Sequence, residues 1–202
     1  MKNWTRQIGV ALRALILLTV ILGIAYPLVM TGFAQVAFHD RANGSLITRT
    51  GGPTSDPKAA VGSELLGQNF DGGQWFHPRP SAAGDNGYDG LSSAASNLGP
   101  DNPDLKKQVV RLRAKIAATE HVAPSAVPPD ALTASGSGLD PDISPAYAKI
   151  QVDRVAAANH LDRASVARLV RENTAGRDAG FIGDPHVNVL RLNLEVERLA
   201  AQ

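Results

Sequence analysis

The longest apolar run in the chain extends from position 14 to position 38 and contains no charged side chain. As a helix rising about 1.5 Å per residue, a run of this length would be about 37 Å long, which exceeds a hydrocarbon core of about 30 Å. The pattern therefore predicts one transmembrane helix over residues 14–38. Gly23, Pro27 and Gly32 would weaken an isolated helix, but membrane spans tolerate such residues where a neighbouring helix packs closely.

A second helical pattern covers residues 101–119, where apolar side chains recur at spacings of four, three and four. They are Leu105, Val109, Leu112 and Ile116, and basic side chains fill many of the positions between them. This period predicts an amphipathic helix with its basic face in solvent. Asn102 is the expected cap, with Pro103 at the first helical position.

Three further elements are predicted near the C-terminus. Ser144 followed by Pro145 is a strong helix start, and apolar positions continue to about Asn159. Asp162 is the expected cap of another helix, which ends between positions 173 and 176. The last segment, residues 187–199, alternates apolar and polar side chains, which favours a strand on periodicity, although its Leu, Glu and Arg residues are helix formers.

The remaining segments are rich in glycine and proline and predict long ordered loops. Residues 43–58 form a connection, and residues 84–103 form one extended loop. Phe70, Trp75 and Phe76 are the densest aromatic cluster outside the apolar run and are expected to seed a core. The expected fold is an α/β (α+β) extracytoplasmic domain, residues 40–202, tethered by one N-terminal transmembrane helix within residues 1–39.

Charge predicts the orientation of the membrane span. Lys2, Arg6 and Arg13 precede it with no acidic residue among them, so the positive-inside bias places the N-terminus in the cytoplasm and the residues after about 39 outside. A cleaved signal peptide is the alternative, with Gly32-Phe33-Ala34 as a weak cleavage site. Signal peptides have apolar regions of about 7–15 residues, so the length of this run favours a retained helix.

Composition excludes some classes of function. The net charge of +1 comes from 20 basic and 19 acidic residues, and without the three N-terminal basic residues the balance is 17 against 19. This charge balance does not indicate a basic surface that would bind nucleic acid. The chain has no cysteine, so its outer domain has no disulfides and depends on packing or on a partner.

The segment from His77 to Ser81 is the first candidate site. Its prolines, Pro78 and Pro80, hold the backbone extended and present His77, Arg79 and Ser81 stiffly. Three interpretations remain open. The segment could be catalytic, it could be an interface, or it could be a structural loop in which Arg79 pairs locally.

The second candidate is the segment from Ser135 to Ser144. Gly136 and Gly138 permit backbone conformations that other residues avoid, Asp140 can form an Asx turn, and Ser144 caps the following helix. The segment is not a P-loop, because it lacks the Lys and the glycine spacing. The five histidines are scattered and there is no G-x-S-x-G elbow, so a binding or assembly role is favoured over an independent hydrolytic site.

Several motifs occur along the chain in a distinctive order after the charged and apolar N-terminus. They are Gly62-Ser63, Leu66-Gly67-Gln68, Phe76 to Ser81, Ser96 to Pro100, Thr133 to Pro141, Ile143-Ser144-Pro145, Val187 to Leu190 and Leu192 to Leu194. In this order the chain resembles the C subunit of the bacterial Kdp potassium-transporting ATPase. Ser93-Ala94-Ala95-Ser96 departs from the family, in which a glycine-richer Ser-Gly-Gly-Ser is expected, and this weakens an ATP-signature-like role there.

The resemblance implies an accessory subunit in the inner membrane without catalytic activity of its own. Its implied partners are a potassium-selecting channel-like subunit, a P-type ATPase subunit and a small single-span subunit, besides membrane lipid. The complex handles ATP and potassium, and this subunit assembles it and supports the ATP affinity of the ATPase subunit. Because ATP is cytoplasmic and the large domain is expected outside, the coupling to ATP is expected to be indirect.

From the motifs and the resemblance we predict ten residues as docking or structural positions, and we predict no metal ligand. They are His77, Arg79, Ser81, Asn97, Ser135, Gly136, Gly138, Asp140, Ser144 and Asn188. The competing hypothesis is a membrane-anchored periplasmic enzyme that uses His77, Arg79 and Asp140 around a proline-rich cleft.

Overall fold

A computed structural model describes residues 2–202 of the chain. The polypeptide forms two compact units, Met1–Ser45 and Leu46–Gln202. The second unit combines helices with two small sheets, so the fold is an α+β domain that follows one long N-terminal helix.

The first unit is a long helix followed by a short one. Its parts are α1 (Lys2–Val20), a π-helical turn (Ile21–Ala25), α2 (Tyr26–Ala37) and α3 (His39–Ala42). The stretch Trp4–Ala37, 34 residues, is long and apolar enough to cross a membrane. The helix starts earlier than the predicted position 14. Pro27 lies in the first turn of α2, directly after the wider π-helical turn, at the place where its missing N–H interrupts the regular helical bonding.

Most large apolar side chains of this helix are exposed within their own unit. Leu28 and Val29 are about two-thirds exposed, at 67% and 68%. Exposed apolar surface of this extent indicates contact with lipid or with another protein.

The second unit contains two antiparallel sheets. In the first, β1 (Leu46–Thr48) pairs with β2 (Ala60–Ser63), with a register shift between Ile47 and Thr48. The second has the strand order β3–β5–β4, made of Asp142–Ile143, His186–Asn188 and Thr174–Ala175. The central strand, β5, brings the C-terminal segment beside the start of β3.

Four helices and two 3-10 turns complete the unit. They are α4 (Pro103–Thr119), turns at Pro124–Ala126 and Pro129–Ala131, α5 (Pro145–Ala158), α6 (Arg163–Glu172) and α7 (Val189–Ala200). The three expected caps are confirmed. Asn102 accepts from the amide of Asp104, Ser144 from that of Tyr147 and Asp162 from that of Ser165.

The predicted strand over residues 187–199 is wrong, because only His186–Asn188 is a strand and α7 follows it. The alternation arises because α7 is buried on two sides. Leu192 and Val196 pack into the main core, whereas Leu190 and Leu194 pack with Ile47 in a second cluster. Each pair is four residues apart, which is helical spacing, and the two interleaved pairs imitate a period of two.

The main core lies between α5, α6, α7 and the second sheet, and Phe76 is fully buried within it. Phe70 packs against both clusters. Trp75 is only partly buried, and its ring lies 6.2 Å from that of Phe70. The aromatic cluster thus contributes one ring to the centre of the core and two to its edge.

Candidate functional site

The two candidate segments lie against each other and form what we call the loop pair, residues 79–94 and 133–144. Ser81 joins them, because its hydroxyl donates to the carbonyl oxygen of Gly138 at 2.6 Å. The hydroxyl oxygen of Ser81 in turn accepts from the amides of Ala83 at 3.1 Å and Tyr88 at 2.8 Å. With three bonds, the Ser81 hydroxyl acts as a structural junction between the segments.

An ion pair provides the second junction. Arg79 Nη1 lies 2.6 Å from Asp140 Oδ2, with both side chains about three-quarters buried. Asp140 Oδ1 also accepts from the amide of Asp142 at 3.0 Å, which is the expected Asx turn. The hydroxyl of Tyr88 donates to the carbonyl oxygen of Arg79. Arg79 is therefore paired, with a residue that is 61 positions away in the sequence.

Gly138 occupies a position that no other residue fits. Its φ is +68°, and a Cβ there would lie 2.5 Å from the carbonyl oxygen of Ala94 and 2.8 Å from the amide nitrogen of Ala83. The amide of Ala94 and the hydroxyl of Ser93 both donate to Ser137 O, at 3.0 and 2.9 Å. The segment Ser93–Ser96 thus contributes backbone packing against the second loop despite its alanines.

The other predicted positions differ in their surroundings. Gly136 has open space around it and no positive φ, so its predicted conformational role is not found. Ser135 is partly exposed, and its hydroxyl lies 3.3 Å from that of Ser137. Ser144 caps α5 and is itself held by Asp130, through its amide at 2.8 Å and its hydroxyl at 2.9 Å.

Two asparagines complete the predicted set. Asn188 connects three elements: its Nδ2 donates to Glu64 O at 3.0 Å and to Asp142 Oδ1 at 3.2 Å, and its Oδ1 caps α7. Asn97 adopts a left-handed conformation with φ of +53°, which asparagine tolerates better than most residues. Asn97 lies just outside the loop pair, in the connection to α4.

The side chains that hold the start of the first loop, Gln151 and Asn193, are not among the predicted site residues. The buried amide of Gln151 accepts from His77 N at 2.7 Å and donates to His77 O at 3.2 Å. Asn193 does the same for Phe76, at 2.8 and 3.0 Å. Each side-chain amide bonds both the N–H and the C=O of one loop residue, as a neighbouring strand would do in a sheet. A polar residue within the apolar face of a predicted helix is the signal that could have found them.

A buried ion pair lies beside Gln151, whose Oε1 accepts from Arg154 Nη2 at 2.8 Å. Arg154 Nε lies 2.9 Å from Glu120 Oε2, and the two side chains are only 11% and 2% exposed. Arg154 Nη1 also donates to the carbonyl oxygens of Gly73 and Trp75, at 2.7 and 2.8 Å. One guanidinium therefore ties α5 to the end of α4 and to the loop before His77.

The imidazole of His77 points to a backbone carbonyl rather than to a carboxylate. Its Nε2 lies 2.9 Å from Gly72 O, so Nε2 carries the proton and donates. Burial, with the positive charge of Arg154 second, lowers the pKa of His77 below its ordinary value. His77 is therefore neutral at pH 7.

A cleft of about 390 Å³ opens beside these residues. Its polar lining includes His77, Arg79, Tyr88, Lys115, Glu120 and Tyr147. Burial raises the pKa of Tyr88 to about 12 and also raises that of Tyr147, so both hydroxyls stay protonated at neutral pH.

Of the three residues that the competing enzyme hypothesis groups, Arg79 and Asp140 are paired with each other, and the imidazole of His77 bonds elsewhere. Asp140 bonds to Arg79 and to its own turn, and His77 bonds to Gly72. Within residues 2–202 no group of three or more metal-binding side chains is found. The polar groups of the loop pair chiefly bond to backbone, and such bonding holds loops in one shape.

The chain matches one family model, described as the K+-transporting ATPase c chain, KdpC, over residues 8–198. It is 50% identical over 200 residues to the potassium-transporting ATPase KdpC subunit of Kineococcus radiotolerans, covering 99% of this chain and 97% of that one. The KdpC subunit of Beijerinckia indica is 49% identical over 192 residues, covering 95% and 93% of the two chains. That of Mycobacterium tuberculosis is 47% identical over 195 residues, covering 96% and 99%. With an apolar helix long enough to cross a membrane at its N-terminus, an α+β unit behind it and similarity along nearly its whole length, the chain belongs to the KdpC family of potassium-transporting ATPase subunits.

Proposed function

We propose that this chain is a non-catalytic accessory subunit of an ATP-driven potassium uptake pump, in which it assembles and stabilises the complex. The observation that carries the proposal is the bonding of the loop pair. The bonds are made by the Ser81 hydroxyl, by Arg79 Nη1 and by both carboxylate oxygens of Asp140. A surface of this kind offers a fixed shape for docking rather than a set of groups for chemistry.

The proposed partners are the other subunits of the complex: a potassium-selecting channel-like subunit, a P-type ATPase subunit and a small single-span subunit. The loop pair docks on the channel-like subunit, and the helix Trp4–Ala37 packs at its side in the lipid. The exposed apolar side chains of that helix, together with Gly23 and Gly32, suit close packing against another helix.

We place the N-terminus in the cytoplasm and the second unit outside it, in the inner membrane. The positive charges that orient the helix, on Lys2, Arg6 and Arg13, all lie in the 13 residues before position 14. With the second unit outside, the chain raises the ATP affinity of the ATPase subunit indirectly, through the assembled complex. A reporter enzyme active only in the cytoplasm, fused after Gln202, is expected to be silent, and an active reporter would refute this orientation.

The accessory role is tested by purifying the potassium-transporting complex with and without this chain. We expect the chain alone to hydrolyse no ATP, and we expect the complex without it to be recovered poorly and to show a raised KM for ATP. A complex that forms and hydrolyses ATP with the same KM in the absence of the chain would contradict the proposal. Hydrolytic activity of the isolated chain would revive the enzyme hypothesis.

A further inference from the structure

A second groove of the folded unit lies between α5 and α6 and is formed by residues outside the loop pair. Its volume is about 410 Å³. Val152, Ala167 and Val170 form an apolar floor, and three basic residues line the groove with them: Lys149, Arg163 and Arg171. An apolar floor with basic side chains beside it differs from the mixed polar lining of the cleft beside His77.

The groove follows from helical spacing on two adjacent helices. Lys149 and Val152 are three residues apart on α5, while Arg163, Ala167 and Arg171 are each four apart on α6. Residues at these spacings share one face of a helix. The floor is rigid, because Val152 and Val170 belong to the main core with exposures of only 2% and 6%.

The charge of the groove is incompletely neutralised by the chain itself. Arg163 forms an ion pair with Asp153. Among residues 2–202, no ion pair to a carboxylate is found for Lys149 or for Arg171. Two cations without an ion pair, beside an apolar floor, are complementary to a ligand that carries both negative charge and apolar surface.

The length of the groove indicates the form of that ligand. Arg163 and Arg171 are eight residues apart, which is about 12 Å along a helix axis. About four residues of extended polypeptide, at about 3.3 Å each, cover the same distance. We propose that this groove binds an extended segment of a partner subunit in which acidic side chains flank an apolar one. The inference rests on the proposed accessory role and assigns a second docking surface to it.

The test compares two double charge reversals in the full chain, expressed with the other subunits of the complex. Lys149→Glu with Arg171→Glu reverses the groove. Lys106→Glu with Arg113→Glu reverses two exposed cations on α4 and changes the net charge equally. We expect the groove variant to lower recovery of the chain with its complex about tenfold at low salt, and the α4 variant to match the wild type.

A second variant tests the floor without changing charge. Ala167→Leu adds apolar volume on a helix that accepts leucine well, so α6 is retained while the groove is filled. Recovery with the complex is again expected to fall, and thermal melting of the purified full chain is expected to stay within a few degrees of the wild type.

Four results would overturn the inference. The groove variants could assemble as well as the wild type, or the α4 control could lose recovery to the same extent. The groove reversal could instead abolish binding to vesicles of anionic phospholipid while complex recovery stays intact, which would assign the groove to lipid. Finally, the variants could fail to fold, which thermal melting would reveal. If both the charge-reversed and the filled variant are unfolded, the groove residues serve the stability of the chain. If the wild-type chain itself fails to join the complex, the accessory role fails instead.

Discussion

Two glycine-rich segments of the folded unit differ sharply in how they are held. The second loop of the loop pair, residues 133–144, is bonded by Arg79, Ser81, Ser93 and Asp130. The segment 176–184 projects between β4 and β5, with one pair of backbone bonds between Asp178 and Ile182 and an exposed ion pair between Arg177 and Asp184. Its Phe181 is 74% exposed.

Glycine content alone does not decide how firmly a loop is held. Both segments contain glycines with positive φ, namely Gly138 in one and Gly180 and Gly183 in the other. What differs is the number of side chains from distant parts of the chain that bond to the loop backbone. In a domain without disulfides, such bonds are the means by which long loops are fixed.

The largest effect is expected from the guanidinium that ties the first loop to its helices. Arg154→Met leaves Glu120 buried without its partner and releases the carbonyls of Gly73 and Trp75. The free energy of unfolding should fall by about 3–5 kcal/mol. The matched change in the projecting segment, Arg177→Met, removes an exposed pair and should cost less than about 1 kcal/mol.

Denaturant unfolding of the full chain in detergent measures both changes. Adding Glu120→Gln to Arg154→Met should recover part of the loss, because the unpaired charge is then removed. Equal losses for Arg154→Met and Arg177→Met would show that the two segments are held alike.

Next in size is the effect of a side chain at a left-handed glycine. Gly138→Val introduces both an unfavourable φ and a collision with Ala94 O and Ala83 N, so we expect a loss of about 3 kcal/mol or more. Gly180→Val shares the positive φ, but its Cβ would meet open space, so only the backbone cost of about 1–2 kcal/mol should appear.

Thermal melting and recovery of the complex separate two roles of Gly138. A lower melting temperature shows that the position is a structural corner, and unchanged melting with lost recovery shows that it docks directly. Gly138→Val that melts and assembles like the wild type would show that the close approach of the two loops is unimportant.

The smallest effect is a dependence of stability on pH. The pKa of His77 is lowered in the folded state, chiefly by burial, so its contribution to stability is complete above the ordinary value of about 6.5. This contribution of His77 to stability decreases as the pH falls from about 6.5 through the lowered pKa of the folded state. Between pH 7 and pH 5, His77→Gln should therefore reduce the fall in melting temperature seen for the wild type. Identical pH dependence in both proteins would exclude His77 as the cause.

The helices could be predicted from sequence because their signals are local. Asn102, Ser144 and Asp162 each cap a helix through an amide two or three residues away. The family resemblance likewise uses motifs that are contiguous in the chain. The apolar N-terminal helix is recognisable from hydropathy alone, although its helical start lies before position 14.

The remaining features depend on contacts between distant residues. Gln151 holds His77 across 74 positions, and Asn193 holds Phe76 across 117. A polar residue on the apolar face of a helix can mark each amide, but no local pattern identifies the distant backbone that it bonds. The wrong strand at 187–199 has the same origin, since burial of α7 on two sides is a tertiary property. Gly138 was identified from its residue type, but its collision partners, Ala83 and Ala94, become visible only in the fold.

Hydrogen exchange along the full chain, measured alone and within the purified complex, tests the docking role of the loop pair most directly. The amides of Ala83, Tyr88, Ala94 and Asp142 are hydrogen-bonded in the isolated chain. We expect them to exchange more slowly than the amides of residues 176–184, and peptides covering 79–94 and 133–144 to slow further in the complex. Unchanged exchange of both loops on assembly, with new protection elsewhere on the second unit, would contradict docking through the loop pair.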